Sequence, residues 1–296
     1  MKLQSLPFIV ITAFCFGSSL IASRFGIGQI SSVEFVALRI SFASVAFALL
    51  LLARPGLRWQ LDRKLLQHGL ILGLLATAIP MFAFVGSLVY LSSGMTSIIN
   101  ATGPAFTVTL AHFFLIDESL TWRKVVGVLL SLSGAIMLAS QGESGLVDVA
   151  QADPRGYILV FVGLISVSIG TIYTRRYAGG IPATTLTSVQ LFAATFIVLP
   201  VVGLVYGFDL AALDGQGWFA VLYGSLIGTV AAFLLFFYTI QRFGATDVAL
   251  VTYVVPVVAT IGGLLVLGET ITGRMIIGMI IILAGIAVIN LRRKPD

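Results

Sequence analysis

One arginine, Arg39, interrupts a long apolar run, and its position calls for a chemical role. It lies roughly six residues from the nearer end of that run, about 9 Å deep if the run is a membrane helix. An ionised group at that depth is costly, by about 2.5–3.5 kcal/mol on insertion scales, unless it faces water or a partner. Two interpretations stay open. Arg39 either holds an anionic group such as a carboxylate in a central cavity, or extends outward toward Glu34 and the lipid headgroups.

The fourth apolar run carries a narrow polar stripe, in which Asn100, Pro104 and Thr107 recur at helical spacing. A proline removes one backbone hydrogen bond of a helix, so Pro104 predicts a helix break and Pro256 predicts a second one, beside Tyr253. Interrupted helices at corresponding positions of two halves indicate the binding site of a transporter. The alternative is a packing kink in which Asn100 hydrogen-bonds between helices.

These residues belong to a duplicated sequence. An offset of 151 residues superposes charged, hydroxyl and glycine residues on the same types: Arg24 on Arg175, Glu118 on Glu269, Thr121 on Thr272, Arg123 on Arg274, Gly127 on Gly278 and Gly134 on Gly285. A repeat of this length indicates two homologous halves rather than a solenoid, whose repeats are about 20–50 residues long.

The offset also shows where the two halves differ in polar chemistry. It pairs Arg39 with Gln190, Asn100 with Val251 and Tyr90 with Gln241, so one half carries a cation where the other carries a neutral amide. We therefore predict a substrate site formed by Arg39, Asn100, Tyr90, Thr107, Gln190, Gln241 and Tyr253, with helix breaks at Pro104 and Pro256.

The composition places these residues in a membrane. The chain has 296 residues, of which 58% are hydrophobic and only 10% charged, and its mean hydropathy is +1.08. A helix that spans the bilayer needs about 20 apolar residues. The polar residues between the apolar runs divide the chain into ten transmembrane helices and predict an all-α integral membrane protein. The predicted helices lie at about 7–27, 33–53, 65–91, 96–116, 125–140, 156–174, 183–206, 218–240, 245–267 and 274–291.

The distribution of charge predicts the topology. With the N-terminus in the cytoplasm, thirteen Lys and Arg residues, including Arg58 and Arg293, fall on the cytoplasmic side and three fall outside, together with Asp148. Both termini are then cytoplasmic. The predicted organisation is a first five-helix repeat at 1–140, an external linker at 141–155 and a second repeat at 156–296. Five is an odd number, so the second repeat is inverted relative to the first.

The stretch FGSSLIASRFGI followed by EFVALRISFA, and the paired P-x13-E and P-x12-E stretches, resemble the EamA type of the drug/metabolite transporter (DMT) superfamily. The resemblance covers essentially the whole chain. It implies a secondary transporter that exports small amino-acid-like or amphipathic metabolites across the bacterial inner membrane, with the bilayer and a small-molecule substrate as its partners. Inverted halves suit alternating access. Small-residue faces on spans five and ten suit close helix contact, either between the halves or in a homodimer.

Other classes of function receive little support. The single cysteine, Cys15, and the two histidines show no metal-ligand spacing, and we expect no cofactor. The basic residues lie between apolar runs, which excludes a nucleic-acid surface. The spans carry no HExxH motif and no paired carboxylates, so we do not expect an enzyme. A GxxxxGK[ST] loop is also absent, so ATP is not the direct energy source.

Two alternatives remain from the sequence: an exchanger of phosphorylated or nucleotide-sugar substrates from the same superfamily, and an intramembrane enzyme. His112 has two interpretations, as a proton-coupling group or as a packing histidine. Glu118 and Glu269 lie just before spans five and ten, where acids stabilise helix N-termini, and we interpret both as structural.

Overall fold

A computed structural model describes residues 3–54, 62–115, 118–147, 149, 151–243 and 249–290. Within these ranges the chain is helical and has no strand. Eight helices are long and apolar enough to cross a membrane, and Val251–Leu267 is a shorter apolar helix. The chain is therefore an all-α, multi-pass membrane protein, as predicted. The predicted topology markers Arg58, Asp148 and Arg293 lie outside the described residues.

The helices of the first half are α1 Leu6–Ile27, α2 Ser32–Ala53, α3 Arg63–Leu72, α4 Ile79–Ser87, α5 Ser93–Asn100, α6 Gly103–Phe114 and α7 Trp122–Ser140. Those of the second half are α8 Pro154–Tyr177, α9 Ala183–Val205, α10 Gly215–Ser225, α11 Ala232–Phe243, α12 Val251–Leu267 and α13 Gly273–Asn290. A π-helical segment, Gly73–Ala78, joins α3 to α4, and a second, Leu226–Ala231, joins α10 to α11.

Polar residues between the apolar runs fix where several helices begin. Ser31 and Glu34 form a capping box at α2, in which each side chain bonds to the backbone N–H of the other residue. The Ser92 hydroxyl caps α5, and the Thr121 hydroxyl caps α7. These side chains satisfy N–H groups that the first turn of a helix leaves without an intrahelical partner. The helices between them are apolar on most faces, as expected in lipid.

The two halves meet in antiparallel, symmetric contacts. On α2 and α9, the Ser44 hydroxyl lies 3.1 Å from the Leu191 carbonyl oxygen, and the Thr195 hydroxyl lies 3.3 Å from the Ile40 carbonyl oxygen. The two hydroxyl oxygens are 2.6 Å apart. The 151-residue offset converts each of these contacts into the other, so a pseudo-twofold axis passes between Ser44 and Thr195. Residue 40 lies opposite 195 and 44 opposite 191, so the helices run in opposite directions.

A second symmetric contact joins α7 to α13. A Cβ added to Gly127 would lie 2.6 Å from the Gly285 carbonyl oxygen, and one added to Gly134 would lie 3.1 Å from that of Gly278. Between them, the Ser131 hydroxyl donates to the Ile282 carbonyl, 3.2 Å away. The small-residue faces that the sequence assigned to close helix contact therefore join the two halves of this chain.

The two predicted helix breaks have different outcomes. Ala101 and Thr102 form a turn between α5 and α6, and Pro104 is the second residue of α6, where its missing N–H costs nothing. The break predicted at Pro256 is wrong in position, because α12 runs through Pro256 and the turn lies before it, at Leu250. A proline in the second turn removes only one intrahelical hydrogen bond, and the packing of α12 on α1 and α5 holds the helix together.

Candidate functional site

Arg39 lies inside the helix bundle, where α1, α2 and the second π-helical segment meet. Its side chain is only 6% exposed. The guanidinium donates from Nε to the Thr229 hydroxyl at 3.3 Å, from Nη1 to the Ser23 hydroxyl at 3.3 Å, and from Nη2 to the Gly228 carbonyl at 3.4 Å. Arg39 therefore points inward. Glu34, the predicted outward partner, instead accepts hydrogen bonds from Ser31 and from the backbone N–H of Asp209.

Two glycines of the second half make room for this side chain. A Cβ added to Gly224 would lie 3.3 Å from Cδ of Arg39, and one added to Gly228 would lie 3.0 Å from Nη2. The Cβ on Gly228 would also collide with the hydroxyl of Ser19, so that hydroxyl lies on the same side of the segment as the guanidinium. Larger side chains at 224 or 228 would displace Arg39.

The positive charge at Arg39 has no matching negative charge among the described residues. All three of its acceptors are neutral, and all three hydrogen bonds are long for a charged donor, which usually bonds at about 2.7–2.9 Å. The Ser19 hydroxyl beside it is buried and has no hydrogen-bond partner in the described part of the chain. A buried charge is costly unless an opposite charge and further hydrogen bonds compensate it. Among the described residues, the guanidinium of Arg39 is therefore a buried positive charge with neutral hydrogen-bond partners only.

In the first half, the π-helical segment packs against the backbone of α9 at the position of Gln190, the counterpart of Arg39. The first π-helical segment begins at Gly73, where an added Cβ would lie 2.9 Å from the backbone carbonyl of Gln190. The Ser166 hydroxyl of α8 donates to the carbonyl of Leu75 at 2.7 Å, as Arg39 does to a carbonyl of the other segment. π-Helical turns are rare and often mark functional sites. Both halves have this turn, but among the described residues only the turn of the second half has a hydrogen bond from a cationic side chain.

Two other predicted site residues contact neighbouring helices. The hydroxyls of Thr107 on α6 and Ser168 on α8 lie 3.0 Å apart. Tyr253 on α12 accepts a hydrogen bond from the Asn290 side chain of α13, 3.2 Å away. Both contacts join helices at places separate from the Arg39 cluster, so their part in substrate binding stays a prediction.

The remaining predicted residues are also dispersed. Tyr90 follows α4 and packs on the start of α8, where an added Cβ on Gly156 would lie 2.8 Å from the Cβ of Tyr90. Asn100 is the last residue of α5, at the helix break, and is partly exposed, as is Gln190 on α9. The side chain of Gln241 lies outside what the structure describes.

An apolar groove of about 470 Å³ lies beside the Arg39 cluster, between α1, α10 and α12. Its wall includes one polar pair, Ser18 and Tyr223, whose hydroxyl oxygens are 2.9 Å apart. Their chain neighbours Ser19 and Gly224 lie near Arg39, so the groove and the cluster occupy adjacent faces of α1 and α10. Arg39 itself is buried and is not part of the groove wall.

The sequence carried an unused signal for the partners of Arg39. Ser19 and Ser23 are four residues apart on α1, and Gly224 and Gly228 are four apart on the span that contains α10. Residues four apart share one face of a helix. A hydroxyl face opposite a glycine face would have indicated a place for a long polar side chain between these spans.

The titratable residues at the ends of the spans have clear partners. The Leu120 backbone N–H donates to Nδ1 of His112 at 3.3 Å, and His112 lies exposed in the last turn of α6 rather than deep in a span. Glu118 pairs with Arg175 and with Lys124, and these cations hold the pKa of its carboxyl below the usual range. His112 therefore has hydrogen-bond contacts with the turn after α6, and both interpretations of it stay predictions.

Comparison with known proteins places the chain among transporters. It matches the EamA-like transporter family over residues 4–140 and 154–291. A protein of Escherichia coli K12, the uncharacterized inner membrane transporter YedA, is 30% identical over 86% of this chain and 80% of its own length. A probable amino-acid metabolite efflux pump of Salmonella typhimurium is 25% identical over 91% of this chain and 89% of its own. A probable terminal-alkyne amino-acid exporter of Streptantibioticus cattleyicolor is 26% identical over 96% and 92%.

Proposed function

The chain belongs to the EamA-like transporter family, and we propose that it is a secondary transporter that exports small amino-acid-like or amphipathic metabolites by alternating access. Two relatives are named for amino-acid efflux or export, which supports this substrate class. The inverted contacts of α2 with α9 and of α7 with α13 support the mechanism, because two similar bundles of opposite orientation can exchange conformations around a shared site.

The observation that carries the proposal is the buried, uncompensated charge of Arg39. A substrate carboxylate would supply the missing negative charge and accept hydrogen bonds from the planar guanidinium, which matches a carboxylate in a bidentate arrangement. Ser19, with its unpartnered hydroxyl, would donate a further hydrogen bond. In this proposal the groove between α1, α10 and α12 takes the apolar part of an amphipathic substrate.

A single arginine favours a carboxylate over a phosphorylated substrate. A phosphate or a nucleotide sugar carries more negative charge and is usually held by several cations. Among the described residues, Arg39 and Glu269 are the only fully buried charged side chains, and Glu269 is an acid. We therefore rank the exchanger of phosphorylated compounds below the carboxylate exporter.

We also propose that the protein lies in the bacterial inner membrane with both termini in the cytoplasm. The excess of Lys and Arg on one side supports this orientation, as does the inner-membrane name of the E. coli relative. Cysteines at positions 58 and 148, in a Cys15-free protein, test it in intact cells with an impermeant thiol reagent. Position 148 should react and position 58 should be protected, and the reverse result would overturn the orientation.

Substrate screening tests the function itself. Purified protein is first heated in detergent with amino acids, nucleosides, cationic drugs and phosphorylated sugars, and a ligand should raise the melting temperature. That ligand is then followed in proteoliposomes, where it should cross the membrane and be recovered unchanged. Conversion of the ligand would favour an intramembrane enzyme. A hit confined to phosphorylated compounds would favour the exchanger.

A further inference from the structure

Glu269, which the sequence assigned a structural role at a helix N-terminus, holds the N-terminus of a different helix. It lies in the turn between α12 and α13 and is only 4% exposed. Oε1 accepts from the backbone N–H of Ser93 at 2.8 Å, and Oε2 accepts from the Ser93 hydroxyl at 2.7 Å and from the N–H of Gly94 at 3.4 Å. Arg24 of α1 lies 3.9 Å away and completes the ion pair.

The turn that presents Glu269 is held at several points. Gly268 ends α12 with φ of +65°, a left-handed conformation that glycine adopts without strain. The next N–H, that of Glu269, donates to the Gly263 carbonyl at 3.1 Å, and that of Thr270 donates to the Gly145 carbonyl of the linker at 2.9 Å. These backbone hydrogen bonds fix the turn from which the Glu269 side chain extends to α5.

The opposite end of the bundle contains the same pair in a different arrangement. The 151-residue offset converts Arg24 and Glu269 into Arg175 and Glu118, which also form an ion pair. There the carboxylate is 27% exposed, and Lys124 joins the pair at 2.9 Å. Glu118 accepts from these two cations, and the residues that the offset pairs with Ser93 and Gly94, at 244 and 245, lie outside the described residues. Glu118 is thus more exposed than Glu269 and has a second cation beside it.

The helix that Glu269 holds ends at Asn100, one of the residues that the sequence predicts for the substrate site. α5 has eight residues, so it is about 12 Å long, and its far end is Asn100 at the break before Pro104. Thr260 of α12 lies against Gly94 of α5, and its hydroxyl is buried without a partner among the described residues, as is that of Ser97, one turn further along α5. Unsatisfied buried hydroxyls weaken an interface. The contact between α5 and α12 therefore depends on the hydrogen bonds at its end, which Glu269 supplies.

We propose that Glu269 is a gating residue of the transport cycle. While its carboxylate accepts hydrogen bonds from Ser93 and Gly94, α5 stays packed on α12 and this end of the pathway is closed. When the carboxylate releases α5, the helix separates from α12, moves Asn100 and opens that end. Glu269 acts through the position of α5, and the proposal does not depend on which substrate is carried.

The test measures how often α5 separates from α12. In a Cys15→Ala protein, Ser97→Cys places a reactive thiol on α5, one turn beyond the close approach of Gly94 to Thr260, where the native side chain is buried. Its rate of reaction with a thiol reagent in detergent reports opening. Loss of hydrogen bonds to a charged acceptor in Glu269→Gln should raise the rate about ten- to a hundredfold. Glu118→Gln is the matched control and should leave the rate unchanged.

A second thiol separates gating from general loss of stability. Ser131→Cys places it in the contact between α7 and α13, also buried, and Glu269→Gln should not change its reaction rate. If Glu269→Gln does not fold, Ser93→Ala removes one hydrogen bond to the carboxylate and should raise labelling at position 97 about fivefold. An unchanged rate at 97, or equal increases at 97 and 131, would overturn the proposal.

Discussion

Two residues of α2, Ser44 and Arg39, differ in how closely they resemble the equivalent residues of the second half. Ser44 faces its own counterpart Thr195, and both are hydroxyl residues that bond to each other's helix. Arg39 corresponds to Gln190, and the two sit in different surroundings: a buried guanidinium on one π-helical segment, and a close backbone contact on the other. The contact that joins the halves has kept its chemistry through the duplication, whereas the position that we assign to substrate has not.

The difference indicates where to look for function in a duplicated transporter. Two inverted halves meet through equivalent surfaces, so equivalent residues can make equivalent contacts, as Ser44 and Thr195 do. A substrate is not symmetric, and only one of two equivalent positions needs to recognise its charged group. Residues that break the symmetry at a buried position are therefore the better candidates for binding.

The largest effect on stability should come from the glycine contacts between α7 and α13. In Gly127→Ala the new methyl group meets backbone atoms of Gly285 and Ile289, which cannot move aside, whereas in Gly278→Ala the nearest atoms belong to the side chain of Leu138. Overpacking costs about 1–3 kcal/mol. Gly127→Ala should therefore lower the melting temperature in detergent clearly more than Gly278→Ala. Equal losses in the two variants would contradict this account of the contact.

A smaller effect is expected at the symmetric hydroxyl pair. Ser44→Ala and Thr195→Ala each remove one hydrogen bond between α2 and α9, worth about 0.5–1.5 kcal/mol. Since the two hydroxyls also contact each other, the double variant should lose less than the two single losses added together. Strictly additive losses in denaturation would show that the hydroxyls act independently.

The smallest effect should be the pH dependence contributed by Glu118. The Arg175 and Lys124 cations lower the pKa of this carboxyl in the folded protein, so it contributes stability above its unfolded pKa, near 4.3, and this is lost as the pH falls through the lowered value. Between about pH 5 and pH 3, wild type should lose slightly more stability than Glu118→Gln, by a few tenths of a kcal/mol at low salt. Identical pH profiles would contradict the assigned ion pair.

Much of the fold can be predicted from the sequence, because the patterns that define it extend over many residues. Apolar runs of about 20 residues define spans without help from tertiary contacts, and the aligned charges and glycines reveal the duplication. Pro104 marks a real helix interruption because it falls at the start of α6. Pro256 misled the prediction because a single missing hydrogen bond does not break a helix that is packed on its neighbours.

The candidate site was only partly predictable. The depth of Arg39 and its mismatch with Gln190 single out this side chain in the sequence, and its part in substrate binding stays a prediction. The direction of the side chain depends on Gly224 and Gly228 and on a π-helical turn. Such a turn shifts the register of a helix by one residue, and the sequence pattern gave no sign of it. The role of Glu269 was missed for a related reason, since its contact with Ser93 spans 176 residues.

The central claim, that Arg39 recognises a substrate carboxylate, is tested most directly by comparing a carboxylate ligand from the screen with its carboxamide. Wild type should bind the carboxylate about ten- to a hundredfold more tightly, because a charge-assisted hydrogen bond contributes about 1.5–3 kcal/mol. Arg39→Gln, which gives the site the side chain of its counterpart Gln190, should lose this preference and remain folded. Arg39→Lys should keep only part of it, since lysine retains the charge without the planar fork. If Arg39→Gln discriminates between the two ligands as well as wild type does, Arg39 is not in the site, and Asn100 beside the Pro104 break becomes the better candidate.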